Sequence, residues 1–344
     1  MSGPKIRNME EFAAAAGISR PTVSKYFHDP DSVRLKTRER IEEALAKHDY
    51  RPNIFAVNQN RRLTKNIGLV VPLLADPYFA EMARFLEQGL IAAGFSPMLY
   101  SAHGSPEQEV EILDYLRQMK PAGVLIAPLG RRSSDRAQIE RFCRDVPTIL
   151  FDSNLEGIGE AFVGSDNSSF VKLGLDYMLG QGRTPAFLEM RHPANPNAVR
   201  RRDAYHAEME ARGLEPVTIA LEGRGWGFEE IARQGMTDLI DRKALPASDI
   251  MCSNDRLAIG VLSACYDRGL RVGKGEGSAL RVAGLDDHPF SRFTCPALTT
   301  VAHDYASVSN TTVSMLLDLV EAGGRFSTRT ETLFPAHLVQ RASA

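Results

Sequence analysis

Hydrophobic and polar residues in the first 50 positions alternate with the spacing of short helices. Asn8 can cap an alanine-rich segment that has Glu at its third helical position and stops at Gly17. Ser19 can cap a second segment, 20–27, in which Pro21 is tolerated because it lies in the first turn. The pattern predicts two short helices separated by a tight turn.

A third helix is predicted from Thr37 to about His48. Its apolar positions have helical spacing and are expected to close a small core over the first two helices. The predicted core residues are Phe12, Val23, Phe27, Ile41, Ala44, Leu45 and Tyr50. A short turn of small residues leaves the start of the second helix free to enter a major groove, so we predict a helix-turn-helix module.

From residue 67 onward, short apolar runs alternate with amphipathic stretches, which is typical of parallel strands joined by crossover helices. Strands are predicted at 67–74, 97–100, 123–127, 148–151, 186–190, 217–221, 250–252 and 279–284. Helices are predicted at 79–93, 107–119, 134–143, 201–212, 228–241 and 256–268. The pattern restarts near residue 186, which indicates two similar α/β lobes. Ligands bind beyond the carboxyl ends of such strands, and two facing lobes form a cleft.

The composition is that of a globular protein with several domains. The chain has 344 residues, of which 43% are hydrophobic and 24% charged. No apolar run approaches the roughly 18 to 20 residues of a membrane-spanning helix. The N-terminal segment carries acidic residues early and has no apolar signal-peptide core, so we expect a cytoplasmic protein without membrane partners.

The four cysteines are widely scattered and form no C-x-x-C pair. They are Cys143, Cys252, Cys265 and Cys295. This spacing favours neither a disulfide framework nor a zinc site, and we expect buried, reduced thiols.

Charge is distributed unevenly along the chain. Residues 1–66 contain 13 Lys and Arg against 8 Asp and Glu, a net charge of +5, whereas the remaining 278 residues carry −7. A basic head on an acidic body is typical of a module that binds a polyanion such as nucleic acid. Chance can produce the same asymmetry, so the charge supports the helix-turn-helix prediction without carrying it alone.

Motifs for catalysis are weak. The glycine-rich segment 273–277 precedes a predicted strand instead of joining a strand to a helix, so it lacks the context of a dinucleotide site. The segment 223–227 has the pattern of a turn, and the eight His residues lack the H-x-x-x-H spacing of a metal hydrolase. We therefore expect no enzyme activity, no metal and no cofactor.

Several short motifs occur together in a characteristic order. They are AAGIS at 15–19, TVS at 22–24, TRERI at 37–41, YRPN at 50–53, IGLVVP at 67–72 and LVxRxS at 338–343. With these motifs the whole chain resembles the lactose repressor and galactose repressor (LacI/GalR) family of bacterial transcription regulators. The resemblance implies an all-α helix-turn-helix DNA-binding head at 1–52 and a hinge helix and linker at 53–66. It further implies an α/β two-lobed, periplasmic-binding-protein-like domain at 67–344 for effector binding and dimerisation.

The resemblance also implies that the start of the second helix faces the operator. The residues concerned are Ser19, Arg20, Pro21, Thr22, Ser24 and Lys25. Chemistry supports two of them independently, because Arg20 can donate to O6 and N7 of guanine and Lys25 can reach guanine or phosphate. The three hydroxyls suit phosphate oxygens, or alternatively helix capping.

The hinge departs from the family pattern. The family inserts a leucine, three residues beyond an alanine, into the minor groove, whereas this chain keeps Asn53 and Ala56 but has Gln59 at the leucine position. Glutamine is a poor apolar wedge, because unstacking a base step costs a few kcal/mol. A weaker kink, insertion of Phe55 or Val57 instead, and a hydrogen bond from Gln59 to a base edge all remain open. The basic residues at 61, 62 and 65 fit phosphate contacts or a solvated linker.

Candidate ligand residues lie at predicted strand ends and at positions that match the family's effector site, except that Asn197 and Trp226 are candidates because they lie in loops that can line the cleft. They are Asp76, Tyr78, Phe79, Asn197, Arg201, Trp226, Asn254, Asp255 and Asp286. Carboxylates, amides and an arginine discriminate polyols, because a buried hydroxyl without a partner is costly. Asn254 and Asp255 can alternatively cap the helix that follows them. The pairs 131–132 and 191–192 fit either a phosphate or carboxylate on the effector or solvated loop charges.

Together these predictions describe a ligand-gated regulator. We expect a cytoplasmic, nucleoid-associated homodimer that represses transcription by binding a pseudo-palindromic double-stranded operator. A small sugar or polyol effector is expected to control operator affinity allosterically. The alternative is a cytoplasmic sugar-binding or sugar-processing protein with no specific role on DNA.

Overall fold

The computed structural model describes residues 6–48, 50, 64–129, 133–193 and 195–344. Contacts within the chain divide it into two units, 1–64 and 65–344. The predicted boundaries at 52 and 66 stay a proposal, because residues 51–63 lie outside the described part of the chain.

The first unit consists of three helices. They are α1 (Met9–Ala16), α2 (Arg20–His28) and α3 (Leu35–His48), with a 3-10 turn at Pro30–Ser32 between the last two. The predicted caps are present: the Asn8 side chain accepts a hydrogen bond from the N–H of Glu11, and Ser19 accepts one from Thr22. The predicted helices are confirmed, although α3 begins two residues before Thr37.

A small aromatic core holds the three helices together. Phe12, Val23 and Ile41, one from each helix, are fully buried. The ring of Phe12 stacks on that of Tyr50, with 4.6 Å between the ring centroids, and lies 6.2 Å from the ring of Phe27. The predicted core is confirmed, and each large side chain in it contributes roughly 1.5–3 kcal/mol of burial energy.

The second unit contains two six-stranded sheets flanked by helices. The strands are β1 (Asn66–Val71), β2 (Ser96–Ser101), β3 (Gly123–Ile126), β4 (Thr148–Phe151), β5 (Ala161–Ser165), β6 (Ala186–Met190), β7 (Thr218–Leu221), β8 (Asp249–Cys252), β9 (Arg281–Asp286), β10 (Thr299–Ala302), β11 (Thr330–Phe334) and β12 (His337–Val339). The helices are α4 (Pro77–Ala92), α5 (Pro106–Met119), α6 (Ser133–Asp145), α7 (Asn167–Leu179), α8 (Pro196–Ala211), α9 (Phe228–Asp241), α10 (Asp255–Asp267) and α11 (Tyr305–Glu321).

Each sheet forms one lobe. The first lobe has the strand order β11-β5-β4-β3-β1-β2, and the second has β12-β10-β9-β8-β6-β7. The paired strands are parallel, except that β12 runs antiparallel to β10. The predicted two-lobed α/β fold is therefore confirmed.

Neither lobe is one continuous segment of the chain. The chain passes from the first lobe to the second after β5, since α7 packs on the second sheet, and returns after β10, since α11 packs on the first. It crosses a third time between β11 and β12. Three crossovers join the lobes, an arrangement suited to hinge motion about a cleft.

Three of the cysteines, Cys143, Cys252 and Cys265, are buried and free, as predicted. The prediction for Cys295 is wrong, because this residue is exposed. It lies in the loop between a 3-10 turn at Ser291–Phe293 and β10, where no apolar pattern distinguishes buried from exposed positions.

Among the helices in the described ranges, none combines the length and apolar character that crossing a bilayer requires. The same residues contain no group of three or more His, Cys, Asp or Glu side chains placed to hold a metal ion.

Candidate functional site

The start of α2 presents the candidate DNA-binding surface. Of the predicted contact residues, Ser19, Arg20, Pro21 and Lys25 are exposed, and Thr22 and Ser24 are half-buried. The hydroxyl oxygens of Ser19 and Thr22 lie 2.8 Å apart, and Ser19 also caps the helix. Capping is thus one role of Ser19, and DNA contact stays a prediction for all six residues.

The turn before α2 is fixed by a glycine and an arginine. Gly17 has a φ of +65°, and its N–H donates to the carbonyl oxygens of Ala13 and Ala14, a conformation that glycine adopts without strain. Arg40 of α3 donates to the carbonyl oxygens of Ala16 at 3.3 Å and Gly17 at 3.0 Å. A positive charge there offsets the negative end of the α1 dipole. All three helices therefore contribute to the position of the α2 start.

The predicted hinge contacts Asn53, Ala56 and Gln59 lie outside the described residues. The same holds for Arg61 and Arg62. The alternatives for the minor-groove contact therefore stay open.

The carboxyl ends of strands from both sheets meet at a cavity of about 50 Å³. Eight of the nine predicted ligand residues line it, namely Asp76, Tyr78, Phe79, Asn197, Arg201, Trp226, Asn254 and Asp286. Asp152, Arg256 and His288 also line it and were not among the candidates. The structure brings the predicted residues together, and ligand binding by each stays a prediction.

Three helix N-termini point their caps at this cavity. Asp76 caps α4 by accepting a hydrogen bond from the N–H of Tyr78, Asn195 caps α8, and Asn254 caps α10. Asn254 thus caps the helix that follows it, as the sequence analysis had allowed. Each cap engages one side-chain oxygen, so capping and ligand contact can coexist at these positions.

A buried ion pair occupies the centre of the site. Arg201 donates to Asp286 Oδ1 at 2.6 Å, to the carbonyl oxygen of Ser253 at 2.8 Å and to Asn167 Oδ1 at 3.0 Å. His303 Nε2 lies 3.0 Å from the same Asp286 oxygen. Burial acts to raise the pKa of Asp286, but the Arg201 charge and the hydrogen bond with His303 outweigh it and hold that pKa below its usual value. Loss of either Arg201 or Asp286 would therefore leave the other as a buried charge without a counter-charge.

Two carboxylates of the cavity lie at strand ends in rarely adopted backbone conformations. Asp152, directly after β4, has a φ of +58°, and Asp286, the last residue of β9, has a φ of +128°. Such conformations cost about 1–3 kcal/mol each and persist where the surroundings fix them. The Tyr78 hydroxyl donates to Asp152 Oδ1 at 2.8 Å, and Asn197 Nδ2 donates to the Asp152 carbonyl oxygen at 3.0 Å. Burial raises the pKa of Asp152 despite the Tyr78 hydrogen bond.

An arginine that the sequence patterns did not single out bridges the two lobes. Arg256 on α10 donates from Nη1 to Asp76 Oδ2 at 3.0 Å and pairs with both carboxylate oxygens of Glu229, at 2.6 and 2.7 Å. Its guanidinium carbon lies 4.9 Å from the ring centroid of Phe228. Burial raises the pKa of Asp76, and the Arg256 charge opposes that rise. Its place directly after the candidates Asn254 and Asp255 could have indicated a site residue. Its partner Asp76, however, is 180 residues away in the sequence, so no local pattern predicts the pair.

Trp226 packs across the cleft against the first lobe. Its ring centroid lies 6.0 Å from that of Phe79 and 5.7 Å from that of Phe228. A Cβ on Gly104 would lie 2.3 Å from the Trp226 indole nitrogen, so the indole needs a glycine there. This nitrogen is buried and lacks a hydrogen-bond partner among the described residues.

Asp255, the ninth predicted ligand residue, does not line the cavity. It is buried and accepts hydrogen bonds from the backbone N–H of His288 at 2.9 Å and from the hydroxyls of Ser291 and Thr300, both at 2.5 Å. These contacts anchor the loop that follows Asp286. The arrangement favours a supporting role, and direct ligand contact by Asp255 stays an untested prediction.

Asp255 is expected to make the folding free energy depend on pH. Burial, followed by repulsion from Asp286, raises its pKa from 3.8 to about 7. Between these values the folded chain holds a proton that the unfolded chain has lost, so stability falls as pH rises through this range. Asp255→Asn removes the ionisable group, and the variant should gain about 1–3 kcal/mol relative to the wild type between pH 5 and pH 8.

Urea unfolding of both proteins at the two pH values measures this difference. Asp114→Asn, a change of an exposed carboxyl on α5, is the matched control and should leave the pH dependence unchanged. Parallel stability curves for the wild type and Asp255→Asn would contradict the assignment of this proton to Asp255.

The other arginine candidates do not lie in the cavity as far as the structure describes them. Arg191 pairs with Glu222 at 2.8 Å, and both side chains are more than half exposed. Neither Arg191 nor His192 lines the cavity, and residues 131 and 132 lie outside the described part. For 191–192 the contacts favour solvated loop charges.

Comparisons with known proteins agree with both units. The model of the lacI family of bacterial regulatory proteins matches residues 8–53, and the model of the periplasmic binding protein-like domain matches residues 175–344. The first match covers the helix-turn-helix. The second begins within α7, covers the rest of the second lobe and includes α11 and β11 of the first lobe.

Relatives match nearly the whole chain. The HTH-type transcriptional regulator reg1 of Streptomyces lividans is 27% identical over 347 residues, covering 97% of this chain and 96% of that protein. The ribose operon repressor of Bacillus subtilis is 27% identical over 320 residues, covering 92% of each. The crystal structure of the lac repressor dimer bound to operator and the anti-inducer ONPF shares the fold, with a TM-score of 0.84, 24% identity and coverage of 98% of this chain and 99% of that one. The helix-turn-helix, the two-lobed body and the full-length relatives lead to one conclusion: the chain joins a DNA-binding domain of the lacI family of bacterial regulatory proteins to a periplasmic binding protein-like domain, as do proteins of that family.

Proposed function

We propose that this lacI-family transcription regulator is a homodimeric repressor whose affinity for a pseudo-palindromic operator is controlled by a small sugar or polyol. One observation carries the proposal: an exposed basic helix start in the first unit accompanies a polar cavity between two lobes in the second. The first feature fits duplex DNA, and the second fits a polyhydroxylated molecule.

The DNA side is supported by the chemistry of α2. Arg20 and Lys25 are exposed cations on the helix that a helix-turn-helix inserts into the major groove. A two-fold dimer carries two such helices and therefore reads two related half-sites, which explains a pseudo-palindromic operator. The lac repressor of similar fold forms a dimer on its operator, and we propose the same arrangement here.

The ligand side is supported by the groups that line the cavity. Asp76, Asp286 and Asn197 supply acceptors and an amide donor, and Arg201 supplies a fixed donor fork. Phe79 and Trp226 supply aromatic faces. Alternating donors, acceptors and apolar faces match a sugar, which has hydroxyls at its rim and C–H groups on its faces.

The coupling is proposed to act through the crossovers. His303 follows β10 at one crossover, and it bonds both Asp286 in the cavity and the hydroxyl of Ser165, the last residue of β5, at 2.7 Å. A ligand that moves Asp286 or parts the lobes therefore acts directly on two of the chain segments that join them. We infer that this changes the relative pose of the lobes and, in a dimer, whether both heads bind DNA together.

We further infer that the protein has no catalytic activity, uses no cofactor and works in the cytoplasm on nucleoid DNA. The relatives compared above are named as a transcriptional regulator and an operon repressor. The acidic groups of the cavity are held in ion pairs, caps and hydrogen bonds instead of facing a nucleophile.

Selection of duplexes from a randomised palindromic library tests the DNA-binding claim. The full-length protein at 0.15 M salt, roughly the physiological ionic strength, should enrich one half-site repeated in inverted orientation. It should bind that site at least about 1,000-fold tighter than random competitor DNA, as specific regulators do. Enrichment of no sequence over competitor, with and without sugars, would refute the function.

Arg20→Ala should weaken binding to the selected operator by about 1–3 kcal/mol, roughly 5- to 150-fold, because a bidentate contact with guanine is lost. The loss should concentrate at one base pair of each half-site, so specificity at that pair relaxes. Lys47→Ala removes the same charge from the exposed last turn of α3 and serves as the control. Equal weakening on all sequences by Arg20→Ala would assign this residue to phosphate contact instead of base reading.

A further inference from the structure

An ion pair joins the two lobes across the ligand cavity. Asp76 follows β1 in the first lobe, and Arg256 lies on α10 in the second, with 3.0 Å between Oδ2 and Nη1. Their side chains are only 8% and 14% exposed. Arg256 is held in its own lobe by the two-point pair with Glu229, so it keeps its position when the lobes separate.

A ligand has to separate this pair in order to bind. The cavity of about 50 Å³ has room for a few water molecules, whereas pockets for small molecules measure about 300–1,000 Å³. The packing of Trp226 on Gly104 closes the same cleft from the second lobe. Entry therefore requires the lobes to part, and the ligand then takes the place between Asp76 and Arg256.

The separated pair presents opposite charges to one ligand. A neutral hydroxyl group can donate to the Asp76 carboxylate and accept from the Arg256 guanidinium, so both charges stay compensated. An anionic ligand competes with Glu229 for Arg256 and meets the negative charge of Asp76. A cationic ligand pairs with Asp76 but lies against the positive charge of Arg256. Within the described residues, Arg201 is already neutralised by Asp286 at 2.6 Å and offers no spare cation to an anion.

We propose that the Asp76–Arg256 pair is the charge filter of the ligand site. It admits neutral polyhydroxylated ligands and rejects sugar acids, sugar phosphates and amino sugars. Asp76 and Arg256 are thus specificity-determining residues, one from each lobe. This inference rests on the proposed function, since it refines the class of effector that the regulator recognises.

The single tryptophan makes the test direct. Trp226 is the only Trp of the chain and lies in the cavity, so its fluorescence reports ligand binding without DNA. Full-length protein is titrated with matched sets that share a carbon skeleton: an aldose or its polyol, the aldonate, the sugar phosphate and the amino sugar. The neutral member of a responding set should bind at least about tenfold tighter than its charged partners, a difference of 1.4 kcal/mol.

Two variants should shift this ranking in opposite directions. Asp76→Asn keeps the helix cap, because Asn caps as well as Asp, and should raise the affinity of the anionic members relative to the neutral one by about tenfold. Arg256→Gln should do the same for the amino sugar. Arg233→Gln is the control, because Arg233 pairs with Glu230 and Asp267 within one lobe and is exposed.

The outcomes separate the two proposals. Binding of an anionic member as tight as or tighter than its neutral partner overturns the charge filter and leaves the regulator function standing. Variants that bind with the wild-type ranking overturn it as well. If a variant does not fold, the wild-type ranking alone decides. No response of Trp226 fluorescence or operator affinity to any set, with disaccharides included, overturns the proposed function and the charge filter with it.

Discussion

Arg201→Met is expected to destabilise the second unit by about 3–5 kcal/mol, the usual cost of leaving a buried charge without its partner. Asp286 would lose the 2.6 Å ion pair while its backbone stays at a φ of +128°. The variant should also lose the fluorescence response to ligand, because the donor fork of the site is gone. Urea unfolding followed by far-UV circular dichroism measures the stability change.

Two further variants isolate the cause. Arg242→Met removes an arginine of the same lobe that is 72% exposed and pairs with Asp238 on the surface, and it should cost less than about 1 kcal/mol. Adding Asp286→Asn to Arg201→Met removes the uncompensated charge, so part of the stability should return while ligand binding does not. Equal stability of Arg201→Met and Arg242→Met would show that the buried pair is not a major support of the lobe.

Phe12→Ala is expected to abolish operator binding by unfolding the head. Phe12 is fully buried and stacks on Tyr50, and truncating such a ring costs about 3–5 kcal/mol. A unit of some 60 residues has little stability in reserve. Operator affinity should fall more than about 100-fold, a loss of over 2.7 kcal/mol, while Trp226 fluorescence still responds to ligand.

Leu35→Ala is the control for the head, because Leu35 is also a large apolar residue of the first unit but is 69% exposed. It should bind operator like the wild type. A loss of ligand response in Phe12→Ala equal to the loss of operator binding would mean that the two units do not fold independently.

Local patterns predict much of this fold. The strands β4 and β6 and the helix α9 have the bounds that apolar runs and helical periodicity predict. The start of α8 was placed at Arg201, whereas the helix begins at Pro196. The missed signal is Asn195-Pro196, because an Asn cap followed by Pro at the first helical position marks a helix start.

The elements without a sequence prediction are those that link the lobes. β5, β10 and β11 are strands of four or five residues, and α7 and α11 follow two of the crossovers. Short runs are ambiguous by periodicity alone. Pairing of β11 with β5 joins residues 330–334 to 161–165, so a local pattern carries no information about it.

The residues of the candidate site also divide into those that local sequence predicts and those that depend on contacts between distant parts of the chain. Asp76, Asn254 and Asp286 could be predicted because they are polar residues next to predicted strand ends. Arg256 could not be identified as a site residue from the neighbouring sequence, because its role depends on the hydrogen bond that it donates to Asp76 across the cleft. The exclusion of Asp255 from the cavity likewise depends on Ser291 and Thr300, which fold beneath it from another strand and turn.

The central claim is that operator binding and ligand binding to this chain are thermodynamically coupled, so that each changes the affinity for the other. Ligand affinity, read from Trp226 fluorescence, is measured on the free protein and on the protein saturated with operator. Operator affinity is measured with and without saturating ligand under the same salt. Linkage predicts that the two affinities change by the same factor, at least about fivefold. Ligand affinity that is identical on and off the operator would contradict it.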